Sequence, residues 1–306
     1  MYAKKAGASQ DRRNRQGLVL LRTGLPSLDA VLEGGLPQGC LCLLEEDADM
    51  RHWLQVLRCY LGEGVLSKQR SYVYSEKEEG KELVPAVRVG GKAQEPGDEM
   101  KIAFRYESFP SLSAVQAPYS FDLSKTMEPR LLEQCPPLFS QVAIAAEDCY
   151  RALWNSILSD FQALRTLKDQ QGLKRIAIKS LLGASWPTAS LSTVFQLLHS
   201  LKTLLRSANA VCLVTCPTSL LSDEQRTMLR HTADIVLRCV PLDPDPSTDF
   251  TGRLELLKPP RFHSLRNIDL ETLSYGLKLQ GGSLTVEKLH LPPAPEVVPA
   301  SSSLEF

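Results

Sequence analysis

The octet Glu45-Glu46-Asp47-Ala48-Asp49-Met50-Arg51-His52 stands between an apolar run of strand length, CLCLL at 40–44, and a segment with helical periodicity. The apolar face of that segment is Trp53, Leu54, Val56, Leu57, Tyr60 and Leu61, and Gly62 and Gly64 read as its end. A strand entering a helix is the usual cradle for phosphate, because free backbone N–H groups and the positive end of the helix dipole converge there. Holding a nucleotide at such a turn takes G-x-x-x-x-G-K-[ST]: glycines to let the backbone wrap the phosphates, a lysine for their charge, a hydroxyl for magnesium. The octet has no glycine, lysine or hydroxyl, and it has four carboxylates, Glu45, Glu46, Asp47 and Asp49. Such a turn repels a triphosphate unless a divalent ion intervenes. Arg51 or His52 stands near the lysine position without restoring the loop. A second strand, RIAIKS, ends in Lys179 and Ser180, where a nucleotide hydrolase needs a carboxylate to hold magnesium. Both signals point to a nucleotide-binding fold that has lost its catalytic parts.

Other chemistries find no support. G-x-S-x-G, H-E-x-x-H and the H-x-E with P-C-x-x-C of zinc deaminases are absent, and the five histidines are scattered. The acidic octet lacks the glycine and spacing of a calcium loop, so no metal site is expected. The candidates for a local anionic partner are basic. Lys101 and Arg105 share one face of a strand expected at 101–108; Lys174, Arg175 and Lys179 surround another strand; Lys258, Arg261, His263 and Arg266 lie in KPPRFHSLR.

The elements that must position these residues alternate. Ser27 reads as the N-cap of a short helix before Gly34-Gly35. After the first strand and helix come a strand at 71–76, a turn-rich stretch at 90–97 and an irregular, proline-punctuated connection at 117–137. The best-patterned helix carries Tyr150, Leu153, Trp154, Ile157, Leu158, Phe161 and Leu164, a stripe that reads as core. Strands at 175–181, 210–216 and 234–240 alternate with helices capped at Ser190 and Ser222. TGRLELLK, TLSYGLKL and SLTVEKL close the chain as strands, the last two joined at Gly281-Gly282. The pattern predicts one α/β domain with a parallel core and an antiparallel edge.

Composition bounds the rest. The 306 residues, 43% hydrophobic, suffice for a large core. Thirty-five basic against thirty-five acidic residues give zero net charge, which excludes coating of nucleic acid or membrane by the whole surface. Apolar runs are strand-sized, so no membrane span is expected. Eight cysteines, mostly in apolar runs, read as buried thiols in a reducing compartment.

TGLPSLDAVLEGGLPQGCLCLLEED, at 23–47, resembles the entry to the RecA-type ATPase core in the variant that has lost its P-loop. KIAFRYESFPSL, SFDLSKTMEP, LKRIAIKSLLGASWP, HTADIVLRCVPL, LELLKPPRFHSL and YGLKLQGGSLTVEKLHLPP resemble, in this order, blocks of the Elongator complex protein 4 family, the PAXNEB-type subunit of Elongator. The resemblance implies a single RecA-like domain over 17–293, between a flexible basic arm at 1–16 and a flexible tail at 294–306. It further implies a non-catalytic subunit that builds a hexameric ring with the fifth and sixth Elongator subunits. That ring binds tRNA and supports modification of the wobble uridine by the catalytic subcomplex, in the cytoplasm and nucleus. It implies no cofactor bound by this chain alone, with ATP at ring interfaces. The competing readings are a stand-alone divergent RecA-type ATPase and a recombinase-paralogue scaffold.

Overall fold

The computed structural model describes residues 12–13, 19–47, 51–89, 119–144, 148–166, 172–187, 190–242, 249–260 and 272–289. In chain order its elements are β1 (Arg12–Arg13), β2 (Val19–Leu21), α1 (Pro26–Val31), β3 (Leu36–Pro37), β4 (Leu41–Glu45), α2 (His52–Leu66) and β5 (Arg70–Ser75). Then follow β6 (Pro85–Val89), β7 (Tyr119–Thr126), α3 (Pro129–Leu132), β8 (Leu138–Gln141), α4 (Cys149–Thr166), β9 (Lys174–Ile178), α5 (Leu191–Ser207) and β10 (Ala210–Cys216). The last are α6 (Asp223–Thr232), β11 (Ile235–Pro241), β12 (Gly252–Lys258), β13 (Ser274–Gln280) and β14 (Ser283–Lys288).

A nine-stranded sheet runs β14-β13-β12-β11-β4-β10-β9-β5-β8. From β8 to β11 every pairing is parallel, and from β11 to β14 every pairing is antiparallel. The expected α/β architecture with an antiparallel edge is therefore present. Strand alternation sorts the core into two layers. Cys42, Leu44, Leu213 and Leu237 face α1 and α2, whose Leu28, Leu57 and Leu61 meet them. Leu41, Leu43, Ile176, Val214 and Val236 face α4, α5 and α6, with Leu153, Ile157, Leu198 and Leu229 opposite. Because both faces are covered, β4, β9 and β10 are buried along their whole length; β4 and β10 read as nearly continuous apolar runs, whereas β9 opens with the buried Lys174 and Arg175.

Capping chemistry placed two helix starts correctly. The Ser190 hydroxyl accepts the Thr193 N–H at 3.2 Å, and Ser222 forms a capping box with Gln225. Ser27 is not a cap: α1 begins after Leu25 without a side-chain cap, and the Ser27 hydroxyl accepts the Val286 N–H of β14 at 2.9 Å. Gly62 and Gly64 do not end α2, which continues to Leu66. They are there for close approach: a Cβ would fall 2.6 Å from the Phe121 ring at Gly62 and 2.4 Å from the Ser71 hydroxyl at Gly64. The stretch read as an irregular connection at 117–137 contains the eight-residue β7, which pairs antiparallel with β6. Within the segment read as a flexible arm, Arg12 and Arg13 pair with Leu20 and Val19. The strand expected at 101–108 and the turn at 90–97 lie outside the described residues.

Cys40, Cys42, Cys59, Cys212, Cys216 and Cys239 are buried, and no disulfide forms among the described residues. Burial pushes the Cys59 thiol up to about 12. Of the α4 stripe, Tyr150, Leu153, Ile157 and Phe161 are core, whereas Trp154 is only half-buried. Among the described residues no helix is long and apolar enough to cross a membrane.

Candidate functional site

The strands β4, β9 and β10 end together on one edge of the sheet, and the chain leaves them toward opposite faces: from β4 to α2 on one side, from β10 to α6 on the other. A parallel sheet opens its ligand crevice where successive connections diverge in this way. The octet beginning at Glu45 sits there.

Glu45 is the last residue of β4 and points to the α6 side. Its carboxylate is 1% exposed and accepts two hydrogen bonds from Arg230, Nε at 2.5 Å and Nη2 at 2.8 Å, and one from the Thr218 hydroxyl at 3.2 Å. Arg238 Nε lies 3.9 Å away. A two-pronged guanidinium contact is the strongest arrangement open to a buried carboxylate. The bond from Glu45 holds Arg230 above its usual value.

Glu46 points to the α2 side, and its environment is the reverse. Its Oε1 is buried without a hydrogen-bond partner among the described residues. Burial pushes its pKa up against the pull of the Thr215 and Ser180 hydroxyls and the Lys179 charge. Asp47 turns back onto the start of α2. Its Oδ1 lies 3.5 Å from the Trp53 N–H and its Oδ2 lies 3.6 Å from His52 Nδ1. Burial works against ionisation of Asp47, but His52 and the Trp53 N–H outweigh it and leave the carboxyl below its ordinary value. His52 is itself 1% exposed, with Nε2 2.9 Å from the Thr251 hydroxyl. Arg51, exposed and left-handed at φ 52°, precedes the helix. The positive end of α2 is thus met by a carboxylate of the protein itself.

Lys179, beyond β9, pairs with Glu79, and its N–H donates to the Tyr74 carbonyl at 2.8 Å. Ser180 is left-handed at φ 50° and donates its N–H to the Thr215 hydroxyl at 2.8 Å. The structure therefore gathers Glu45, Glu46, Asp47, His52, Lys179 and Ser180 at one edge of the sheet. Among the described residues no cluster of histidine, cysteine and carboxylate side chains is placed to hold a metal ion.

The basic candidates fare differently. Arg175 is buried; it stacks on Tyr60 at 4.7 Å and donates to the Arg22 carbonyl and the Gln69 amide. Lys174 is buried too and donates to the carbonyls of Gly172 and Ala208. Lys258 donates to the carbonyls of Arg230, His231 and Ala233, where a cation satisfies the negative end of α6. Asp49, Lys101, Arg105, Arg261 and Arg266 lie outside the described residues. Sequence reasoning missed Arg230 and Thr218, which lie 185 and 173 positions from Glu45; no local spacing signals such a pairing.

The family model described as PAXNEB protein matches residues 12–304. Elongator complex protein 4 of Xenopus laevis is 27% identical over 329 residues, covering 90% of this chain and 81% of the relative. Elongator complex protein 4 of Homo sapiens is 26% identical over 346 residues, covering 95% and 81%. That of Mus musculus is 26% identical over 330 residues, covering 91% and 78%. A family match that spans nearly the whole chain shows that the protein belongs to the PAXNEB family.

Proposed function

We propose that this chain is a non-catalytic subunit of an Elongator complex. In this reading it has a RecA-like core and closes a hexameric ring with the fifth and sixth subunits. The ring binds tRNA and supports wobble-uridine modification carried out by the catalytic subcomplex, in the cytoplasm and nucleus. The names of the relatives support membership of Elongator. The order β11-β4-β10-β9-β5, parallel throughout with helices on both faces, supports the RecA-like reading.

One observation carries the non-catalytic part. Asp47 lies against the first turn of α2 and His52, in the place a phosphate takes when such a turn binds a nucleotide. Glu45 is tied up by Arg230 and Lys179 by Glu79, so these two charged groups are committed to neighbours rather than to magnesium or phosphate. Any ATP held by the ring lies at interfaces where neighbours supply the missing groups.

Calorimetry separates this reading from a stand-alone ATPase. The purified chain is expected to give no heat with ATP and magnesium, with binding only after the fifth and sixth subunits are added; saturable binding and turnover by the chain alone would overturn it. Copurification without Elongator partners, or with recombinases, would favour the scaffold instead. Within the reading, Lys101, Arg105, Arg261 and Arg266 remain the proposed RNA contacts, while Lys258 caps α6. Reversing the charges of Arg261 and Arg266 together is expected to weaken tRNA binding by the ring and flatten its salt dependence.

A further inference from the structure

A cavity of about 250 Å³ opens between α4 and α5, and none of the crevice residues named above lines it. Its walls are Asp148 just before α4, Tyr150, Arg151 and Trp154 on α4, and Thr193, Gln196 and Ser200 on α5, with Leu197 buried at the floor. The indole at 154 packs against the core and is half-buried, and the rest of its surface lines the cavity. Tyr150 spends its hydroxyl on the Pro187 carbonyl at 2.9 Å, and Thr193 shares its own with Ser190 at 2.9 Å. The Gln196 amide and Ser200 hydroxyl have no side-chain partner among the described residues, which leaves one donor-and-acceptor pair and one hydroxyl facing the space. At the rim Arg151 meets Asp148 at 3.0 Å, but the guanidinium is 75% exposed, and an exposed pair of this kind contributes little.

Both helices lead into parallel neighbours, β9 and β10, so their N-terminal halves lie on the edge where the strands end. The positive ends of two long helices therefore flank the cavity. The volume admits one planar ring system and is below the range of whole-cofactor pockets. An aromatic plane, an uncommitted amide and hydroxyl, and a cation flanked by helix N-termini form the chemistry that stacks a base, reads its edge and meets its phosphate.

We propose that this cavity binds one unpaired nucleobase, with Trp154 as the stacking surface, Gln196 and Ser200 as readers of the base edge, and Arg151 as the phosphate contact. The base comes from a single RNA strand or a free nucleoside; the choice of a strand rests on the RNA-binding part of the reading above. The test uses the full chain titrated with oligouridylate, oligoadenylate and the free nucleosides, followed by tryptophan fluorescence. Trp154→Ala is expected to weaken oligonucleotide binding by about five- to a hundredfold, with Trp154→Phe restoring most of it. Arg151→Gln should lower the salt slope by about one. Gln196→Glu, on an exposed position where folding is not at risk, should weaken binding of strand and free nucleoside alike, because both present the base edge that the amide reads. Nucleoside binding equal to strand binding, and indifferent to Arg151, would overturn the strand assignment. Undiminished oligonucleotide affinity in Trp154→Ala and Gln196→Glu would overturn the site itself. Should the ring bind tRNA equally well with Trp154→Ala, the cavity falls and the Elongator reading stands. Should the chain fail to join Elongator partners yet bind oligonucleotide through Trp154, the reverse holds.

Discussion

Glu45 and Glu46 are neighbours in sequence and lie on opposite faces of the sheet. On the α6 side the carboxylate is matched by a guanidinium and a hydroxyl; on the α2 side Glu46 Oε1 lies buried without a partner among the described residues. The α2 side also holds Asp29, whose Oδ1 accepts the Thr23 N–H and hydroxyl at 2.7 Å each and which burial pushes up to about 7. The difference teaches that an acidic run in a strand-to-helix turn is not one electrostatic object. Strand parity divides it into a satisfied ion pair at Glu45 and a carboxyl at Glu46 pressed toward neutrality, while Asp47 is held ionised by His52 and the start of α2.

Breaking the satisfied side should have the largest effect. Arg230→Ala leaves the buried Glu45 only the Thr218 hydroxyl and the more distant Arg238, for an expected loss of about 3 kcal/mol in urea unfolding. Glu45→Ala should cost less, because Arg230 is 34% exposed and can turn to water. Equal and small losses from both would erase the contrast between the two faces.

The α2 side should respond to pH. Asp29 binds its proton more tightly folded than unfolded, so its stabilising contribution is full below about pH 4 and is lost as pH rises through about 7. The loss is on the order of 4 kcal/mol. Glu46 acts in the same direction, whereas Asp47, held low, loses its contribution as pH falls. Unfolding of Asp29→Asn between pH 4 and 7 should show a flatter profile than the parent; an unchanged slope would mean that Asp29 is ionised when folded.

Packing sharpens the same contrast at smaller scale. Gly62→Ala drives a methyl into the Phe121 ring, for an expected net cost of about 1–3 kcal/mol despite the better helix propensity of alanine. A stabilised variant would return Gly62 to the role of a mere helix end. The smallest effect is expected on the α6 side: Lys258→Gln removes a cation from the end of that helix and should cost about 1 kcal/mol. A large loss of tRNA affinity with unchanged stability would instead make Lys258 an RNA contact.

The elements buried on both faces were the most legible, since an apolar run such as AVCLVTC has no other comfortable place. Ser190 and Ser222 were legible because capping is decided within three residues. β7 was not, because Pro118 and Pro129 bracket it and its partner β6 lies some thirty residues upstream. Gly62 and Gly64 misled for a related reason: a glycine that ends a helix and a glycine that admits a neighbouring ring look alike until the neighbour is placed.

By itself the sequence determined the alternation of strands and helices, the antiparallel edge and the acidic character of the turn at 45–49, all carried by local periodicity and composition. Only the tertiary structure decided that Glu45 belongs to Arg230, that Asp47 stands at the end of α2, and that Lys179 belongs to Glu79. A carboxylate's charge is written in its residue type, but its state is set by burial and by partners that strand order brings from as far as 185 positions away.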